Sequence, residues 1–91
     1  MKEIPNKSLT DTVTTASLLM VALNNPGEKG LDFSLIRARN RVADAVAKAD
    51  EPGAVIKLED ADYKVAQDAV ASVRWAKPDR HLIAFAEQFG L

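Results

Sequence analysis

The sequence predicts a mainly α fold: a compact four-helix domain, with at most a minor two-stranded β ribbon from residues near 2–4 and 54–58. Three observations predict it. Apolar residues recur at spacings of three and four in four separate segments. Strong breakers separate those segments: Asn24-Asn25-Pro26-Gly27, Asp50-Glu51-Pro52-Gly53 and Pro78. Alanine is about one residue in six and falls mainly on helix faces, where small side chains let helices approach closely. At 91 residues the chain can bury one core but not two. Residues 1–91 therefore read as a single helical domain, with 1–8 a mobile or ribbon-forming N-terminus.

The first helix is expected to begin near Thr10 or Asp11, both usable N-caps, and to end at Asn24-Asn25-Pro26-Gly27. Its stripe is Val13, Ala16, Met20 and Leu23, and Leu18, Leu19, Val21 and Ala22 widen the apolar surface almost all round. The second helix, capped by Asp32 or Ser34, runs to about Ala49 on a stripe of Leu35, Ala38, Val42, Ala45, Val46 and Ala49. Ala54–Leu58 carries β-branched Val55 and Ile56. Read with a period of two, Ile56 and Leu58 lie opposite Val55 and Lys57. A strand there needs a partner for its backbone, and Lys2-Glu3-Ile4 is the candidate; an extended connection is the other reading. The third helix spans about Asp60 to Trp75 on Tyr63, Ala66, Val70 and Val73. The fourth starts after Pro78 and shows Leu82, Phe85, Ala86 and Phe89 before the terminator Gly90. The aromatics Phe33, Tyr63, Trp75, Phe85 and Phe89 are expected to supply most of the core's bulk, each burying about 150–250 Å².

Composition narrows the function. There is no cysteine, which removes disulfides, thiolate metal sites and thiol catalysis together. The net charge of −1 lacks the basic excess of a chain that grips nucleic acid. The first residues have no long apolar core, and the longest apolar run, Ala16–Leu23, is far shorter than a membrane span. A soluble, cytoplasmic protein without a membrane partner is expected.

The sharpest basic signal is Arg37-Ala38-Arg39-Asn40-Arg41. At about 100° per residue, Arg37 and Arg41 lie about 40° apart and Arg39 points nearly opposite. Asp44 and Lys48 follow at helical spacing, so a solvated, salt-bridged face is the first reading and partner binding the second. Glu59, Asp60 and Asp62 suit the positive end of a helix rather than a calcium loop, whose Gly and terminal Glu are missing. His81 is the sole histidine and has no convergent partner in sequence; a rim position is expected. No phosphate loop, nucleophile elbow or paired-His motif occurs, so no catalytic residue, cofactor or metal is assigned. The best contact surface is the corner Arg74, Trp75, Lys77 and Arg80, since Trp and Arg are enriched in interface hot spots; corner packing of the Trp ring is its structural reading.

The order of elements carries a resemblance. An Ala/Leu helix is followed by Ile36-Arg37-Ala38-Arg39-Asn40-Arg41-Val42. Then comes Ile56-Lys57-Leu58-Glu59-Asp60-Ala61-Asp62-Tyr63 and a helix closing on Arg74-Trp75. Over most of residues 9–89 this resembles small uncharacterised proteins encoded in tailed bacteriophages and prophages. The resemblance transfers no active residues. It implies a phage or prophage setting, in the bacterial host cytoplasm or associated with the virion, where small accessory proteins commonly act by binding others.

The expectation is a non-enzymatic protein-interaction module: a phage accessory or assembly factor that binds a virion or host protein. Its candidate partner-binding residues are Arg37, Arg39, Arg41, Arg74, Trp75, Lys77 and Arg80. A homo-oligomer is also expected, through Leu18, Leu19, Met20 and Leu23, because the first helix offers more apolar surface than one face of a small bundle buries. The alternative is a small nucleic-acid-binding regulator using the Arg37–Arg41 helix.

Overall fold

Pairing between the start of the chain and its middle frames the molecule. In the computed structural model, described over residues 1–27, 30–75 and 79–91, strand β1 (Lys2–Pro5) runs antiparallel to β2 (Val55–Leu58), with Ile4 opposite Ile56. Helices α1 (Thr15–Asn24), α2 (Phe33–Ala47), α3 (Asp60–Ser72) and α4 (Arg80–Glu87) complete the described elements. The ribbon reading of residues 1–8 is the one realised. Alternation does what a period of two requires: Ile4, Ile56 and Leu58 turn into the core, and Val55 and Lys57 face outward. Helices α1, α2 and α3 pack on one another, and α2 and α3 also contact β2.

Helix α1 starts at Thr15, later than Thr10 or Asp11. The Thr10 hydroxyl accepts from the Thr12 and Val13 N–H groups, and the Leu9 and Thr10 N–H groups both donate to the Val13 carbonyl. That local turn competes with helix over residues 9–13. Thr14 then forms a reciprocal capping box with Ser17. Asp32 caps α2 by accepting from Leu35 N–H at 2.8 Å. Helix α3 ends at Ser72 rather than Trp75, because Val73 turns extended and the Ser72 hydroxyl takes the Ala69 carbonyl. Gly90, at φ +74°, terminates the last segment, and Leu91 N–H bonds back to the Ala86 carbonyl. Pro78, expected in the first turn of the fourth helix, lies outside the described residues.

The core joins Leu19 and Ala22 of α1, Val42 and Val46 of α2, Ile56 and Leu58 of β2, and Ala66, Ala69 and Val70 of α3. Phe85 and Phe89, both at 0 % exposure, dock the C-terminal segment. The rings form a chain: Tyr63 stacks on Phe89 at 6.1 Å, Phe89 meets Phe85 at 5.4 Å, and Phe85 meets Trp75 edge-on at 6.0 Å. Phe33 does not join them. It is 77 % exposed. The inward arc of α2 is centred on Val42 and Val46, and nine residues of helix place Phe33 about 180° from Val42.

A buried polar knot closes the other end of α1. Asn6 is fully buried. Its amide donates to the Ala49 and Glu51 carbonyls at 2.8 and 3.1 Å, and its Oδ1 accepts from Ala16 N–H at 2.9 Å. Its backbone N–H reaches Ala54, and its carbonyl accepts from Gly53, which turns the chain at φ +92°. The buried Thr15 hydroxyl accepts from Lys7 N–H and donates to Gln88, whose amide donates to the Pro5 carbonyl. The first three N–H groups of α1 thus find the Lys7 carbonyl, Asn6 and Thr14.

Candidate functional site

Helix α2 places the arginine cluster on two sides. Arg37 is exposed on the outward arc. Arg41 is also outward and pairs with Asp62 of α3 at 3.4 Å, rather than with Asp44 along its own helix. Arg39 points the opposite way, as the 100° step requires, but into the protein and not to a solvated face. Its side chain is about nine-tenths buried at 8 % exposure. Nη1 donates to the carbonyls of Leu23 and Asn25 at 3.1 and 2.7 Å, with a long contact to Ala22 at 3.4 Å. A cation at a helix C-terminus satisfies orphan carbonyls and complements the negative end of the macrodipole. Arg39 is therefore a cap for α1 and not an exposed partner-binding side chain. Burial lowers its pKa from the usual arginine value, yet a guanidinium stays protonated in proteins.

Three features of Arg39 point beyond capping. Every hydrogen bond it makes among the described residues leaves from Nη1. Its Nε is sealed from water and has no partner among the described residues. Among the described residues no carboxylate forms a salt bridge with it. A buried polar group left this way is costly, so it calls for a reason. Beside it lies an open hollow of about 290 Å³, lined among the described residues by Leu31, Leu35, Arg39, Ser72, Arg74, Pro26, Gly27 and Gly30. A smaller hollow of about 220 Å³ continues it past Asn25, Gly27, Ser72 and Arg74. Arg74 is exposed, and among the described residues it makes no salt bridge.

The remaining corner residues do not gather into one site. Trp75 is half-buried, with its ring on Phe85, so corner packing is what it does in the fold. Arg80 is exposed at the start of α4 and lines neither hollow. Lys77 lies outside the described residues. His81 is half-buried on the same helix start. Of the acidic trio, Asp60 and Asp62 occupy the first turn of α3, and Glu59 is its N-cap residue without a side-chain cap bond.

The expected oligomer surface is largely interior. Leu19 and Leu23 are buried at 0 % and 4 %, and Leu18 and Met20 are half-buried against the core. Helix α1 packs against both α2 and α3, so its apolar run is buried within the chain on more than one side. Val21, at 52 %, is the large apolar side chain of α1 that remains exposed.

A different apolar surface takes its place. Phe33 and Ile36, at 77 % and 36 % exposure, share the outward arc of α2 with Arg37 and Asn40. These four positions fall within about 100° of the helix circumference. No protein-family model, curated protein or solved structure matches the chain. Among the described residues no helix is long and apolar enough to cross a membrane.

Proposed function

We propose that the chain is a non-enzymatic protein-interaction module, a small phage accessory or assembly factor that binds a virion or host protein in the bacterial cytoplasm or on the virion. The observation that carries this reading is Phe33. An aromatic ring 77 % exposed on a regular helix, beside Ile36 and Arg37, leaves apolar area in water that a partner would remove. Aromatic and Arg side chains together form the usual anchor of an interface. The cation fixes the partner's chemistry: an apolar recess rimmed by acidic groups, complementary to Phe33, Ile36 and Arg37.

The nucleic-acid alternative draws less support from the geometry. A phosphate-tracking helix needs several cations on one side. Of the three arginines, Arg39 caps α1 and Arg41 pairs with Asp62, so Arg37 is the one whose side chain is not engaged among the described residues.

The test is a comparison of wild type with Phe33→Ser/Ile36→Ser in capture from infected or lysogenic bacteria, followed by reconstitution of the binary complex from purified components. The reading expects a direct complex that the double variant loses by at least tenfold in affinity, with its fold unchanged by circular dichroism. A complex that forms equally well with the variant, or no protein complex at all, contradicts it.

A further inference from the structure

We infer that the free edge of β2 is a docking site for an extended acidic peptide, which adds to the ribbon as a third, antiparallel strand beside Val55 and Lys57. The edge follows from the register. Asn6 N–H donates to the Ala54 carbonyl, and in an antiparallel pair the cross-strand bonds recur at every second residue. Ile56 and Leu58 therefore bond to β1, and the N–H and C=O groups of Val55 and Lys57 point the other way. Among the described residues those groups have no hydrogen-bond partner, and both residues are exposed. The matching edge of β1 is blunted: Pro5 has no N–H, and its carbonyl takes the Gln88 amide.

An open hollow of about 360 Å³ lies beside the β2 edge, lined by Val55, Lys57, Ala45, Lys48 and Ala49. The two alanines present only methyl groups to it, so the end of α2 borders the edge without covering it. Lys48 and Lys57 are exposed, and among the described residues neither forms a salt bridge. Glu3 faces Lys57 across the ribbon but is not within ion-pair distance of it. Lysine on an open edge opposes pairing with a second copy of that edge, and it favours an acidic partner. Antiparallel geometry then sets the partner's pattern: an acidic residue opposite Lys57, a small residue, and a β-branched apolar residue opposite Val55. In such strand addition the main-chain bonds give affinity and alternate side chains give specificity. Lys48 lies about 22 Å along the helix from Phe33, so failure of the Phe33 surface leaves this inference standing, and the converse holds.

The experiment titrates the full chain with acetyl-Thr-Glu-Ala-Val-Thr amide and follows the Val55 and Lys57 backbone amides by NMR. In the free chain these two amides should exchange with solvent faster than those of Ile56 and Leu58. With peptide, both should shift in a saturable way and gain protection, with a dissociation constant on the order of 0.1–1 mM. N-methylation of the peptide's valine removes the donor to the Val55 carbonyl and keeps charge and side chain, so it should weaken binding about tenfold. Gln in place of the peptide's Glu, or Lys57→Gln in the chain, should weaken it about threefold. Equal binding by the N-methyl peptide or the Gln peptide, or no saturable shift of the two amides, overturns the inference. Shifts at these amides that depend on chain concentration without peptide also overturn it, since they mark a second copy as the occupant.

Discussion

The two ends of α1 are closed by buried polar side chains from elsewhere in the chain, and they are closed differently. At the N-terminal end Asn6 is neutral, fully buried, and satisfied at both its amide and its oxygen. At the C-terminal end Arg39 is charged, engages carbonyls through one nitrogen, and keeps a sealed Nε without a partner among the described residues. The difference separates a polar group satisfied at each side-chain atom from a buried cation whose hydrogen bonds all leave from one nitrogen. The first stabilises the fold at little desolvation cost, whereas the second offsets part of its own capping gain.

The contrast predicts a ranking of stabilities, readable by urea denaturation. Asn6→Ala should cost the most, about 3 kcal/mol or more, because it strands the Ala49 and Glu51 carbonyls and the Ala16 N–H at once. For a domain stabilised by roughly 5–15 kcal/mol, that is a large part of the whole. Arg39→Met should cost less, about 1–2 kcal/mol. It loses the cap on the α1 carbonyls, but it also removes the desolvation penalty of a charge without a carboxylate. If Arg39→Met proves the more damaging of the two, the contrast is broken.

Smaller effects sharpen it. Thr15→Val should cost about 1 kcal/mol, since it breaks the Lys7 and Gln88 contacts while keeping the side chain's shape. Phe33→Ser and Arg41→Gln should each stay within about 0.5 kcal/mol, one because its ring is already in water and the other because an exposed ion pair contributes little. A large loss at Phe33 would mean that its ring packs within the chain and is not a docking surface.

Much of this arrangement was legible in the sequence where periodicity governs. The Val42–Val46 stripe, the alternation of β2 and the stop at Gly90 follow from local pattern, whereas the pairing of β2 with Lys2–Pro5 is one of two readings that pattern allows and is decided by tertiary contact. Phe33 and Arg39 show where residue type misleads and the helical wheel does not. The same 100° step that set Arg39 opposite Arg37 also put it about 60° from Val42, on the buried side, and put Phe33 on the wet side. Aromatic was read as core and cationic as surface, against the geometry. The apolar run of α1 misled in the opposite direction, because the number of neighbours around a helix is a property of tertiary packing.

Asn6 had no local signature. Its side-chain acceptors are main-chain carbonyls 43 and 45 residues away, and carbonyls are supplied by every residue type. The late start of α1 was hidden for a related reason: Thr10 is as good a cap by composition as Thr14, and only Thr14 has the reciprocal Ser17 with Asn6 and Lys7 behind it. The hollow itself joins Leu31, Leu35 and Arg39 to Ser72 and Arg74, a meeting that only the packing of α3 creates.

Urea denaturation of Asn6→Ala and Arg39→Met, run side by side, tests the contrast between the two ends of α1 most directly. The account predicts the larger loss at Asn6, by at least about 1 kcal/mol. Equal losses, or a larger loss at Arg39, would contradict it.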